Sequence, residues 1–325
     1  MTNEQQLTWE RGFAPRAAAA AFAAVALQIV SFLIQLPAIG DAPGADDPLR
    51  YRQTLLNFDE HAGVLLGSGI ANALGIFFAS GALYYLFRVA RHRRPELPRL
   101  VQWLLAVAPV LLAVAVVANW VGLKDAADRY TDPAEVASVR ATPTDEQRED
   151  IAEFCRTSVP RASRTAEAIA ECRATRLRQE AVANELVDDS RGVVATAAGF
   201  SGTLAIAFSY VIIALNAMRA GLLSRFMGVL GIAVGALIVL PLLPQGLPIV
   251  QMFWLGALGA LFLGRWSGGR GPAWETGTAE PWPAAASRRG EVEPEPAEEP
   301  ERPAHADDTP VARRSSRKRK KRKRR

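Results

Sequence analysis

The sequence predicts an all-α, polytopic membrane protein with six transmembrane helices, an extracytoplasmic helical insert and a disordered C-terminal tail. Three observations carry that prediction. Residues 17–39, 62–87, 100–123, 192–218 and 226–264 contain no Asp, Glu, Lys or Arg. The Arg residues of the short loops between these runs fall mostly on one side. After residue 264 the composition turns to Pro, Gly, Glu and Ala, and the chain closes on a block of cations.

The first four runs are 23 to 27 residues long. About 20 helical residues cross a hydrocarbon core of roughly 30 Å, so each run fits one span. The fifth is 39 residues long and is broken by "PLLPQGLP", in which Pro241, Pro244, Gly246 and Pro248 stop a helix. It therefore reads as two helices of 18 or 19 residues joined by a tight turn. The predicted organisation is an N-terminal segment 1–16, spans one to three within 17–123, a loop domain 124–191, spans four to six within 192–264, and a tail 265–325.

Orientation follows from the cations of the short loops. Arg11 and Arg16 precede the first span, Arg88, Arg91, Arg93, Arg94 and Arg99 lie between the second and third, and Arg219 and Arg225 lie between the fourth and fifth. The opposite short loops hold only Arg50 and Arg52, so both termini are predicted to be cytoplasmic in a plasma (inner) membrane. Trp103, Trp120, Tyr84, Tyr85 and Trp266 stand where aromatic rings mark the headgroup level. A cleaved signal peptide is the competing reading of the first span, but its apolar stretch exceeds the roughly 7 to 15 residues of a signal core.

Loop 124–191 holds fifteen acids and eleven bases, the balance of a solvated domain. Asp132, Pro133 and Glu135 mark one helix start, Thr144 and Gln147 a second, and Ser163 can cap a third. The chain's two cysteines, Cys155 and Cys172, fall on the second and third helices, where an antiparallel hairpin could bring them together. In an oxidising compartment such a pair forms a disulfide; the alternative is two small residues in a helix seam that never bond. The charged helical faces could engage an envelope protein or simply be solvated.

Inside the predicted spans stand no acid, Lys or His. Proton- or ion-driven transport uses such residues, so a coupled transporter is not expected. Gln28, Gln35, Asn72, Asn119, Ser201, Asn216 and Gln251 remain as helix-to-helix hydrogen-bonding groups. Close packing is expected at small pairs four apart: Gly69 with Ala73, Ala198 with Gly202, Gly231 with Gly235, and Ala260 with Gly264. The string "GFSG", Gly199 to Gly202, resembles the GxSG of rhomboid intramembrane proteases, which place a nucleophilic Ser in their fourth span. Rhomboids pair it with a His from the sixth span; here the matching position is Phe253, and His61, His92 and His305 lie elsewhere. Ser201 thus lacks a base, and no catalytic residue is assigned.

"GLLSRFMGVLGIAVG", residues 221–235, resembles a loop-to-span passage of uncharacterised bacterial six-span membrane proteins grouped as domains of unknown function. That resemblance implies a fold and a location and lends no residue role. Asp41, Asp46, Asp47, Asp59, Glu60 and His61 are candidate metal ligands, but acids adjacent in sequence seldom converge on one ion, so neither a metal nor a cofactor is expected.

The tail is too poor in apolar residues to fold and is expected to be a disordered tether. Its end carries Arg313, Arg314, Arg317, Lys318, Arg319, Lys320, Lys321, Arg322, Lys323, Arg324 and Arg325. Such a block can lie on anionic inner-leaflet lipid, hold a cytoplasmic polyanion, or fold back on the acidic stretch upstream. The functional expectation is a non-enzymatic membrane scaffold or sensor, with an uncoupled transporter or channel-like permease as the alternative; oligomeric state is not read from these residues.

Overall fold

The structure, a computed structural model, describes residues 2–40, 42–44, 46–160, 163–240 and 248–282. Among the described residues it is helical, with no strand. The helices are α1 (Asn3–Gly40), α2 (Arg50–Arg93), α3 (Leu100–Thr131), α4 (Pro133–Ser138), α5 (Asp145–Ser158), α6 (Ala166–Ser190), α7 (Val193–Arg219), α8 (Arg225–Val239), α9 (Ile249–Phe262) and α10 (Ala273–Thr276).

Four of them, α1, α2, α3 and α7, are long and apolar enough to cross a membrane. The first three run well beyond the charge-free stretches. The 14 residues of α1 before Ala17 were expected to be a separate terminal segment, yet they continue the same helix. Gln, Glu and Arg are good helix formers, so a charge ends the apolar run without ending the helix. α8 and α9, at 15 and 14 residues, fall short of the predicted 18 or 19. Their axial lengths are therefore about 22 and 21 Å, less than the roughly 30 Å of a hydrocarbon core. The turn predicted at 241–247 lies outside the described residues.

Small residues set the packing. On α1, Gln6, Glu10, Ala14, Ala18, Ala21, Ala24, Gln28 and Ser31 recur three or four apart and form one buried stripe against α2 and α9. α3 packs on α2 and α7, and α8 on α7. A Cβ placed on Gly231 would lie 2.7 Å from Trp254 Cζ2 and 2.8 Å from Ala214 Cβ, and one on Gly235 2.7 Å from Val211 Cγ2. On Gly202 it would lie 2.8 Å from Leu112 Cγ. Gly202 and the buried Ala198 share one face of α7 towards α3.

The bundle has a distinct assembly at each end. At one end α2, α3 and α6 share a second core of Leu55, Phe58, Ala126, Ala127, Val182, Ala183, Leu186 and Val187. The segment predicted as a solvated loop domain is built together with the first turns of α2 and the last turns of α3. Asp132 caps α4, and Thr144 with Gln147 forms a reciprocal capping box on α5. Thr165, and not the expected Ser163, caps α6. Thr165 stands directly before the first helical residue, the position from which a side-chain oxygen reaches the open N–H groups. We call α4 to α6 with these neighbours the module.

The opposite end gathers the start of α1, the end of α2 and residues 265–282. Here the expected boundary of the disordered tail is corrected: 265–282 pack on the bundle. Trp274 is 7 % exposed and its ring lies 6.4 Å from Tyr85 and 6.1 Å from Phe262. Its Nε1 donates to Leu222 O at 2.9 Å. Gly221, at φ 75°, ends α7 in the left-handed conformation, and a Cβ there would collide with the Glu280 backbone. Arg270 donates to the carbonyls of Leu261 and Phe262, which α9 leaves open at its C-terminus. One aromatic anchor, Trp274, and one cation, Arg270, therefore hold a segment whose Gly and Pro content suggests no fold.

Candidate ligand cavity in the helical bundle

The apolar bundle is not packed evenly along its length. Towards the termini, Leu83, Leu86, Phe87, Ile213 and Trp254 have no exposed surface. Towards the module, a cavity of about 930 Å³ opens between α1, α2 and α3. A second, of about 650 Å³, extends from it between α7, α8 and α9, with Gln28, Asn72 and Pro248 lining both. Tyr210, whose hydroxyl accepts from Gln251 Nε2 at 3.2 Å, lines the second cavity with Ile206 and Ala79.

One wall of the larger cavity is polar and uncharged. Gln28, Ser31, Gln35 and Ala38 follow each other three or four apart on α1 and so share a face. Ser31 Oγ donates to Ser68 O at 2.9 Å, and Ser68 Oγ donates to Gln35 Oε1 at 3.3 Å. Asn57 Nδ2 donates to Ala38 O at 2.8 Å, which leaves Asn57 Oδ1 buried without a partner among the described residues. Trp120 Nε1 donates to Ala62 O at 2.9 Å, and its ring joins Phe32, Phe58 and Leu65 in the cavity lining.

The expected role of the carboxamides as helix-to-helix links holds for only some of them. Gln35 and Gln251 bond across helices, and Asn216 bonds back within α7 to Ile212 O. Gln28, Asn72 and Asn119 have no hydrogen-bond partner among the described residues, and all three line the larger cavity. Gln28 is 5 % exposed and its Oε1 is buried. A buried polar group without a partner costs roughly 1 to 3 kcal/mol, a cost that falls here on Gln28 and Asn57, while Asn72 is half-buried and Asn119 exposed in the same lining. The sequence put each of them in a span; it held no signal for their convergence, because that depends on how α1, α2 and α3 are rotated.

The module carries a separate acidic cleft of about 270 Å³, lined by Asp46, Asp47, Glu146, Asp150 and Glu180 together with Arg50 and Gln147. Glu180, 1 % exposed, accepts from the backbone N–H of Tyr51 at 2.8 Å and Arg52 at 3.1 Å. It thereby caps the first turn of α2, whose own preceding residue Leu49 offers no side-chain cap. Burial pushes the Glu180 carboxyl above its ordinary value, and the two N–H groups partly offset that. Among the described residues no group of three His, Cys, Asp or Glu could hold a metal ion. Asp59 pairs instead with Lys124 at 3.3 Å, Asp47 accepts from Leu49 N at 2.8 Å, and Asp41 lies outside the described residues.

Cys155 and Cys172 join α5 to α6, with sulfurs 2.09 Å apart and Cα atoms 5.9 Å apart. Ser201 lies exposed on α7. Arg313 to Arg325, the basic end of the tail, lies outside the described residues. The residues that sequence reasoning missed are Asn57, Glu180, Glu10, Arg93 and Trp274. Glu10 had one readable signal, since it falls on the register of the small residues Ala14, Ala18 and Ala21.

No known protein family, curated protein or solved structure matches this chain.

Proposed function

We propose that this chain is a non-enzymatic sensor of the plasma membrane that binds an uncharged ligand in the cavity of its bundle. In this reading α8 and α9 complete a six-span topology as a short hairpin, the termini are cytoplasmic, and the module faces the envelope. The observation that carries it is one cavity that gathers the carboxamides of Gln28, Asn57, Asn72 and Asn119, with Gln28 Oε1 and Asn57 Oδ1 buried and unpartnered among the described residues. The shared helices supply the rest: α2 and α3 line the cavity and also build the module core, so ligand and module act on the same two rods. The polybasic end, after a tether, would then hold anionic inner-leaflet lipid or a cytoplasmic polyanion, and the module an envelope partner.

Native mass spectrometry of the full chain isolated in lipid nanodiscs tests this reading. A non-covalent adduct is expected on the natural chain and absent from Asn119→Trp, which fills the cavity from an already exposed position. An adduct-free natural chain would sink it. A second reading, an uncoupled permease, is favoured by the uncharged polar wall, but the packed half near the termini opposes a continuous path. Solute flux in proteoliposomes that falls on Asn72→Leu would favour the permease.

A further inference from the structure

The unmet groups of the cavity also specify what kind of molecule they would take. Resting on the reading above, we propose that the ligand is an uncharged amphiphile bearing a hydroxyl group, held at Gln28, Asn57, Asn72 and Asn119.

Charge is excluded first. Among the described residues the larger cavity is lined by no Asp, Glu, Lys, Arg or His, so an ionic ligand would enter a low-dielectric site with none of them to compensate it. Hydrogen-bond polarity comes next. Asn57 has already committed its Nδ2 to Ala38 O at 2.8 Å, which fixes the orientation of its amide and leaves an oxygen that needs a donor. Esters and ethers cannot supply one, since they only accept. Gln28, Asn72 and Asn119 each present a whole carboxamide, which requires a donor on one side and an acceptor on the other. A hydroxyl is both in one atom.

The rest of the wall determines the remainder of the molecule. Phe32, Phe58, Leu65 and Trp120 offer aliphatic and aromatic surface in the same lining, which suits hydrocarbon. Ser31 Oγ and Ser68 Oγ already donate within the wall, to Ser68 O and Gln35 Oε1, so the polar wall is not uniformly hungry. A volume of about 930 Å³ is in the range of sites for whole organic ligands and exceeds what a single water needs. The hydroxyl can belong to a lipid headgroup or to a free polyol.

Binding of radiolabelled mono-oleoylglycerol to the full chain in nanodiscs, blanked against protein-free nanodiscs, separates these cases. The natural chain is expected to bind it, Gln28→Leu and Asn57→Leu to bind about tenfold more weakly, and Asn119→Trp not to bind. Methyl oleate, which has no donor, and ionised oleate are expected to compete at least tenfold less well than unlabelled mono-oleoylglycerol. Competition by glycerol at the same concentrations assigns the hydroxyl to a free polyol, and its failure to compete assigns it to a lipid. Equal competition by methyl oleate, or unchanged binding by both Leu variants, overturns the hydroxyl assignment while loss in Asn119→Trp still upholds the cavity. The same overturning follows if mono-oleoylglycerol does not bind although the mass-spectrometric adduct is present. Undiminished binding to Asn119→Trp would place the ligand elsewhere and overturn both readings.

Discussion

The Arg93 guanidinium, on the last turn of α2, meets the Glu10 carboxylate of α1 with contacts of 2.7 and 3.0 Å, and gives two further hydrogen bonds of 2.9 and 2.7 Å to Ala273 O. The side chains are 0 % and 4 % exposed, so the pair is shielded from solvent. One cation thus ties the first helix, the second helix and the segment 265–282 together. Losing one member of a buried pair leaves the other charged and unpaired, at a cost of about 3 to 5 kcal/mol. Glu10→Ala or Arg93→Ala is expected to lower the thermal midpoint of the detergent-solubilised chain by many degrees. Glu10→Leu combined with Arg93→Met should recover much of that loss, because no lone charge remains. A double variant as unstable as the singles would show that packing, not charge, governs this site.

Glycine positions in the bundle should separate into two classes. Gly231→Val forces side-chain atoms towards Trp254 and Ala214, where even a Cβ falls 2.7 and 2.8 Å away, and overpacking of this kind costs about 1 to 3 kcal/mol. Gly256→Ala meets nothing within 4 Å and is expected to be neutral or slightly stabilising, since it replaces a flexible residue inside α9. Paired melting curves check the contrast, and equal destabilisation would contradict the packing of α8 on α7 and α9.

The disulfide acts locally. Its closed loop of 17 residues is worth on the order of 3 kcal/mol to the unfolded-state entropy, and that stabilisation belongs to the α5–α6 hairpin. Reduction, or Cys155→Ala with Cys172→Ala, should open 145–165 to limited proteolysis while the bundle melts unchanged. Labelling of intact cells with a membrane-impermeant maleimide before and after gentle reduction tests the proposed orientation in the same experiment. Labelling that appears only after permeabilisation would reverse it.

Glu180 should make module stability depend on pH. Burial raises its carboxyl in the folded chain, so the folded state takes up a proton more readily than the unfolded one. Its contribution is then fully present below the ordinary carboxylate range and is lost as pH rises through the raised value. Glu180→Gln, which cannot titrate, should abolish that dependence: the natural module gains on the variant as pH falls and loses on it as pH climbs. Proteolytic protection of the module across mildly acidic to neutral pH reads the difference. A constant gap would show that the two backbone N–H groups, not burial, set the carboxyl. Glu180→Ala should cost about 1 kcal/mol more at any pH, through loss of the cap on α2.

Much of the architecture was legible from charge alone, because Arg and Asp are costly in hydrocarbon and their absence over some 20 residues marks a crossing segment. The four long helices, the capping box at Thr144 and the approach of the two cysteines all follow from local rules. Helix ends did not, since polar helix formers carry α1 and α2 past the apolar run. The anchoring of 265–282 was invisible because one tryptophan and one arginine do it, against a background of Gly and Pro. The cavity was hidden for a different reason: Gln28, Asn57, Asn72 and Asn119 are polar wherever they face, and only the relative rotation of three helices decides whether they pair or converge.

The unbroken length of α2 has a mechanical consequence. It contains no Pro, and its 44 residues make a rod of about 66 Å. Its first turn is clamped by Glu180 and its last by Glu10 and Ala273, so both ends are pinned to different parts of the chain. A pinned rod cannot tilt at one end without levering the other. Any pull that shifts the hairpin of α5 and α6 must therefore either break one clamp or swing the segment leading into the cationic tail.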